Sequence, residues 1–268
     1  MKINSDKFEP EFLICIVYIK EITEKFNIPF ILIGATVRDI IFEYQHGIKA
    51  PRITMDIDIA VEIDTWNSFD EIKNELTQSY GFVTTDEVHK FRYKSTFIDI
   101  IPYGNIAKDG KLIWRENQNT MNVEEFLEVY SRAQTIQIQG YTEIKIPTLE
   151  DLTILKFISW RDSYPIRSKD ALDISFILKN YEMTLDKNFI FDNYPEIIEK
   201  EKFDLYFAGI VILGLKMKEI CSLNMIDKLK NILIREINEE YSLDLLIQMD
   251  GNVDESRVLL QKLLEGIK

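Results

Sequence analysis

The chain has 268 residues, 46% of them hydrophobic, enough for one large domain or two smaller ones with ordinary globular cores. Its formal net charge of -13 argues against a protein that coats a phosphate backbone nonspecifically, though not against a local basic cleft. The only two cysteines, Cys15 and Cys221, lie in apolar, helical-looking runs and read as buried thiols in a reducing cytosol, not as a disulfide. No Cys/His cluster has zinc spacing. Residues 1–6 lack a signal-peptide pattern, and the apolar run 210–215 is too short to span a bilayer. These features predict a soluble cytoplasmic protein with no membrane partner.

Residues 11–26 read as an amphipathic helix, with Phe12, Ile16, Ile19 and Phe26 near a 3.6 period. Asn27, Ile28 and Pro29 stop it. Residues 30–33 form a short apolar run of the buried-strand kind, and 37–44 look helical again. Gly34, Ala35 and Thr36 therefore stand at a strand-to-helix turn. Such a turn presents free backbone N–H groups, where phosphate binds well, and glycine permits close approach of a ligand. Arg38, one turn into the helix, either reaches a phosphate oxygen or makes a surface ion pair with Asp39. Residues 45–52, with Gly47 and Pro51, read as a loop.

The stretch 54–61 is the most informative. Asp56 and Asp58 sit one residue apart in an otherwise apolar run. In a strand, residues i and i+2 share a face, so both carboxylates project together while Met55, Ile57 and Ile59 pack on the other side. Like charges this close repel, and each resists burial. A hard divalent cation with oxygen ligands would hold them; the alternative is a solvated edge strand with a polar face.

Residues 66–80 read as a helix, with Phe69, Ile72 and Leu76 at helical spacing. Another strand starts at Gly81, and 91–101 read as a hairpin around Lys94 and Ser95. Asp99 is the only charged residue in its apolar run, where an unpaired carboxylate is costly to bury. It ends a strand, pairs with Arg92, or completes a three-carboxylate cage with Asp56 and Asp58.

Residues 108–119 look loop-like, 123–133 helical, and 135–146 read as strand. Pro147 and Thr148 precede an apolar helix, 149–160, with Thr148 as N-cap and Asp151 three residues on. Lys156 in this helix is either a snorkelling surface lysine or a functional cation. A further helix opens near 168 and runs to about 181. Its Asp170 and Asp173 share a face, as solvated acids or as groups that order Lys156 or a substrate hydroxyl. Beyond Glu196 the pattern is helical (202–220, 226–241 and a short helix after 254) and carries no evident chemistry. The domain boundary falls between 147 and 148.

Strand, glycine turn, helix, an Asp-x-Asp strand and a later strand with a third Asp together resemble the polymerase-beta-like nucleotidyltransferase superfamily. The matching residues are Ile33-Gly34-Ala35, Asp56-Ile57-Asp58 and Asp99. Gly34-Ala35-Thr36-Val37-Arg38-Asp39 also resembles the Gly-Gly-x-x-Arg-Asp start of tRNA nucleotidyltransferases. Closer still is the branch related to the AbiEii toxin family. The residues that carry this resemblance are Arg38-Asp39, His46-Gly47-Ile48, Pro51-Arg52-Ile53-Thr54, Ile101-Pro102-Tyr103-Gly104, Lys156 and Asp170-Ala171-Leu172-Asp173. It covers about residues 28 to 181. The usual Ser after the first Gly is Ala35 here, so backbone N–H groups or Thr36 would have to carry that phosphate contact.

The resemblance implies an α+β nucleotidyltransferase fold, a mixed sheet flanked by helices, with a C-terminal helical region. It implies a catalytic domain over 1–147 and a helical domain over 148–268 that contributes Lys156 and Asp170 to the cleft. The implied reaction moves an NMP from an NTP such as ATP to an acceptor hydroxyl by a two-metal mechanism. Asp56, Asp58 and Asp99 would be both catalytic and metal-binding, with Mg²⁺ or Mn²⁺. Gly34, Ala35, Thr36, Arg38 and Lys156 would bind nucleotide, and Asp170 and Asp173 would support. The acceptor would be tRNA or another macromolecule in a toxin-like enzyme with a neutralising antitoxin partner. The alternatives are a small molecule of the antibiotic type, or a non-catalytic NTP-binding module. A patch of Lys90, Arg92, Lys94, Arg161, Arg167 and Lys169 would offset the acidic balance for an RNA acceptor.

Overall fold

The computed structural model describes residues 2–50, 52, 54, 56–164, 166, 168–241 and 243–268. The expectations for Met55 and Arg167, and the motif positions Pro51 and Ile53, lie outside the described residues. The chain divides into two compact units: Met1–Gln45 with Arg52–Thr148, and His46–Pro51 with Leu149–Lys268.

The first unit runs β1 (Lys2–Ile3), α1 (Pro10–Lys25), β2 (Phe30–Ile33), α2 (Ala35–Asp39), β3 (Asp56–Glu62), α3 (Trp66–Ser79), β4 (Val83–Thr84), β5 (Lys90–Tyr93) and β6 (Thr96–Tyr103). It continues through β7 (Lys111–Ile113), β8 (Thr120–Asn122), α4 (Phe126–Arg132), β9 (Gln134–Ile138) and β10 (Glu143–Ile146). Its main sheet has the strand order β2-β3-β6-β5-β4. β3 and β6 run parallel, and the other neighbours are antiparallel.

The period-2 alternation of these strands sorts their side chains onto two faces. On one face Ile57, Ile59, Phe91, Ile98 and Ile100 are sealed. α1 reaches this face through Tyr18, whose ring meets that of Tyr93 edge-on. α1 and α3 pack on each other, tied by Lys25 and Glu75 at 2.8 Å. On the other face the ends of β3 and β6 are also sealed, at Ala60, Ile101 and Tyr103, with the Tyr103 ring against Phe126 of α4. The beginnings of the same strands stay half-open at Asp56, Asp58, Phe97 and Asp99.

Three local expectations change. Residues 135–146 form a hairpin, β9 and β10, with a turn at Gly140 held by the Tyr141 N–H donating to the Ile138 carbonyl. The stretch 108–119 contains β7, which pairs with β8. The second helix begins at Ala35, and from Ile40 to Gln45 it widens to a π-helix.

The second unit is helical: α5 (Leu149–Asp162), α6 (Ser168–Asn180), α7 (Lys187–Asn193), α8 (Pro195–Lys200), α9 (Leu205–Ile220), α10 (Leu223–Ile237), α11 (Asp244–Asp250) and α12 (Val253–Ile267). α9 and α12 form its tightest pair: a Cβ on Gly266 would stand 2.0 Å from the Val211 carbonyl oxygen. Ser222 and Asn252 cap α10 and α12. Among the described residues, no helix is long and apolar enough to cross a membrane.

Candidate active site

Register places the acidic residues. Asp58 is the partner of Ile33 on β2 and of Asp99 on β6. Asp56, two residues back, shares their face. Because β3 and β6 are parallel and in step, the three carboxylates gather at the open end of one face, one residue from the end of β2. The chain leaves β2 at Gly34 with φ +77° and ψ -160°, backbone that side chains other than hydrogen rarely tolerate. A Cβ there would lie 2.0 Å from Asp58 Oδ2. Glycine is thus required twice, by dihedral and by the carboxylate beside it. The Thr36 hydroxyl donates to the Asp56 carbonyl at 3.1 Å, fastening the glycine turn to β3.

Arg38 is not at the surface. It is 0% exposed, its Nε donates to Asp39 Oδ1 at 2.9 Å, and one terminal nitrogen donates to the Arg52 carbonyl and to Thr54 Oγ1, both at 3.2 Å. The expected surface pair with Asp39 is a buried one, and the guanidinium pins the segment that leads into β3. Charge-assisted bonds of this kind hold geometry well.

Asp99 is largely buried, and burial pushes its carboxyl up to about 6; Lys90 opposes the rise, while Asp56 and Glu87 add to it. Its Oδ1 is enclosed with no hydrogen-bond partner. The alternative pairing with Arg92 does not form, since the Arg92 guanidinium donates to the Lys94 carbonyl. Instead the Lys90 ammonium stands 3.6 Å from Asp99 Oδ2 and 3.6 Å from Asp56 Oδ2. Burial works against that ammonium, yet Asp99, Asp56 and Glu87 outweigh it and raise its pKa. The sequence places Lys90 only in a diffuse basic patch. A hairpin with Lys94 and Ser95 as its two-residue loop already sets Lys90 opposite Asp99, so the signal was present.

Lys156, Asp170 and Asp173 come together within the second unit. Lys156 Nζ lies 2.7 Å from Asp170 Oδ1 and 2.8 Å from Asp173 Oδ2, and Ser159 donates to Asp170 Oδ2 at 2.9 Å. All three charged side chains are buried. Burial disfavours the ammonium, but the two aspartates more than compensate and its pKa is raised. Neither the snorkelling lysine nor the solvated helix acids survive; the group is an internal ion cluster joining α5 to α6.

A divalent cation fits the first unit's acidic group by donor chemistry. The donors are all carboxylate oxygens, which suit Mg²⁺ or Mn²⁺. One buried oxygen lacks a partner, and a lysine already supplies positive charge between two of the carboxylates. Among the described residues no three such side chains close into a finished metal cage. Asp58 lies against Gly34, while Asp56 and Asp99 turn to Lys90.

The class of protein is that of the nucleotidyltransferases. The family model for the nucleotidyl transferase AbiEii toxin of type IV toxin–antitoxin systems matches residues 21–258, and the chain belongs to that family. Comparison with curated proteins gives no match. Among solved structures, the antibiotic-resistance factor ANT(2'')-Ia is 12% identical, with 73% of this chain and 99% of that chain covered and a TM-score of 0.39. An antigenic nucleotidyltransferase-like protein from Paracoccidioides brasiliensis is 15% identical, covering 75% and 94%, with a TM-score of 0.44. A CCA-adding enzyme is 14% identical, covering 98% and 82%, with a TM-score of 0.34. The family assignment rests on the family model and not on these distant likenesses.

Proposed function

We propose that the chain moves an NMP from an NTP to an acceptor hydroxyl, using Mg²⁺ or Mn²⁺ held by Asp56, Asp58 and Asp99. The observation that carries this reading is the in-step parallel pairing of Asp58 with Asp99 beside Gly34. Bound divalent ions supply charge neutralisation at the triphosphate and a lowered pKa at the acceptor oxygen. The chain's own residues do the rest. Backbone N–H groups of Gly34, Ala35 and Thr36 receive phosphate oxygens, and the missing side chain at Gly34 lets the phosphate approach. Asp99, level with Asp58 on the neighbouring strand, takes the acceptor's proton. The acceptor oxygen bonds to the α-phosphorus, the bond to the bridging oxygen breaks, and pyrophosphate leaves. Arg38 positions: it fixes the entry to β3 so that both aspartates of the pair point into the open face.

The acceptor we favour is tRNA or another nucleic acid; the toxin role, with an antitoxin as partner, follows the family's description. The test incubates wild type and Asp58→Asn with each labelled NTP, Mg²⁺ or Mn²⁺, and tRNA, other cellular RNA or an aminoglycoside. Label on tRNA from wild type alone supports the reading, with both proteins equally folded by circular dichroism. Label on the aminoglycoside alone would replace the acceptor. No transfer with any NTP and either metal, or equal transfer by Asp58→Asn, would remove the catalytic reading.

A further inference from the structure

Lys90 is the one cation within ion-pair distance of both Asp56 and Asp99 among the described residues. It is not there by chance of a flexible side chain. β5 sets Lys90 opposite Asp99 in an antiparallel register that continues through Phe91–Ile98, Arg92–Phe97 and Tyr93–Thr96. The ammonium stands over the Phe97 ring, with Nζ 5.6 Å from its centre. Phe97 is in turn the register partner of Asp56 on β3. Backbone pairing and an aromatic platform together aim the ammonium between the two carboxylates.

The same two carboxylates are donors in the metal reading, and a divalent ion and an ammonium cannot share them closely, since like charges repel. We propose that Lys90 is the resident counter-ion of the acidic group, which a divalent cation must displace to bind. This inference rests on the metal reading above and adds to it a residue that sets the metal affinity. Lys90 neutralises the carboxylates when no metal is bound and so keeps three like charges compatible with folding. It also raises the metal concentration needed to fill the site. On displacement the long stem carries the ammonium off the carboxylates toward the half-open face, where phosphate charge is to be bound.

The experiment titrates Mn²⁺ alone into wild type, Lys90→Met and Lys90→Arg, reading free Mn²⁺ by electron paramagnetic resonance. Thermal melting of the same samples, with and without Mn²⁺, gives the second readout. Lys90→Met keeps an unbranched stem and removes the charge. It is expected to bind Mn²⁺ at least about fivefold more tightly than wild type. Without metal it should melt below wild type, and Mn²⁺ should raise its melting temperature by more. Lys90→Arg should bind like wild type or more weakly. Equal or weaker Mn²⁺ binding by a folded Lys90→Met overturns the counter-ion role while leaving the metal reading intact. If Lys90→Met does not fold, it should fold when Mn²⁺ is present; failure to fold in both conditions, or Lys90→Arg binding Mn²⁺ more tightly than wild type, also overturns it. Absence of Mn²⁺ binding in all three proteins overturns both.

Discussion

Substituting Gly34 by alanine tests the geometry of the candidate site most directly. Two separate costs arise. The backbone at φ +77° and ψ -160° is close to glycine-only territory, and holding another residue there costs about 1–3 kcal/mol. The new Cβ would stand 2.0 Å from Asp58 Oδ2 and 2.8 Å from its Cγ, so the carboxylate must swing aside. Overpacking of this kind costs about 1–3 kcal/mol. Because a shift of the turn relieves both at once, the expected total is about 2–4 kcal/mol, a fall in melting temperature of about 5–15 °C for a unit of this size. Gly81→Ala is the control: φ is +75°, but nothing lies within 4 Å of the added Cβ. It should cost about 1 kcal/mol, from backbone alone. The assays are thermal denaturation and NMP transfer. Gly34→Ala should lose transfer even at temperatures where it is fully folded, because Asp58 is the group displaced. A Gly34→Ala protein that melts like Gly81→Ala and transfers at the wild-type rate would show that the glycine does not make room for Asp58.

Other outcomes follow from the buried charges. Lys156→Met removes the ammonium that lies between buried Asp170 and Asp173, and should cost about 3–5 kcal/mol in chemical denaturation. Adding Asp170→Asn and Asp173→Asn should return part of that loss; further destabilisation instead would show that the uncompensated carboxylate charge is not the source of the cost. Glu236 is 1% exposed and accepts the Leu245 N–H at 3.2 Å, and burial raises its carboxyl pKa in the folded state. The folded chain then holds a proton that the unfolded chain gives up above its ordinary carboxylate range. Stability from this group is therefore greatest below the unfolded pKa and is lost as pH rises through the folded one. The melting-temperature difference, Glu236→Gln minus wild type, should grow between pH 4.5 and 8; a flat or falling difference would contradict the sign. Asp58→Ala should abolish transfer with little loss of stability, since it removes one of several crowded negative charges, and a large drop in melting temperature would refute this.

How far the sequence could be read depended on how local the determinants were. Asp56, Asp58 and Asp99 were legible because strand alternation makes a carboxylate in an apolar run conspicuous, and Gly34 because a strand meets a helix there. The sequence offers Asp39 as a partner of Arg38, and Asp170 and Asp173 as partners of Lys156, but the burial of both groups is not legible in it. Besides Asp39, the partners of Arg38 include groups 14 and 16 residues on, and those of Lys156 include Asp170 and Asp173, each brought in by tertiary packing. A lone Gly140 in an alternating run was too weak a sign to split 134–146 into β9 and β10. The π-helical widening at Ile40–Gln45 has no signal of its own in residue type. Lys90 was overlooked for a different reason: it was weighed as one charge in a patch, when the hairpin register had already chosen its neighbour.

The parallel step between β3 and β6 also bears on when the acidic group can assemble during synthesis. Parallel neighbours cannot be joined by a tight turn, and here α3, β4 and β5 intervene before Asp99 comes to lie beside Asp58. A nascent chain that has emerged only as far as α3 displays the glycine bend and two of the acids, yet lacks the third. The three acids stand side by side only once the hairpin of β5 and β6 has closed onto β3.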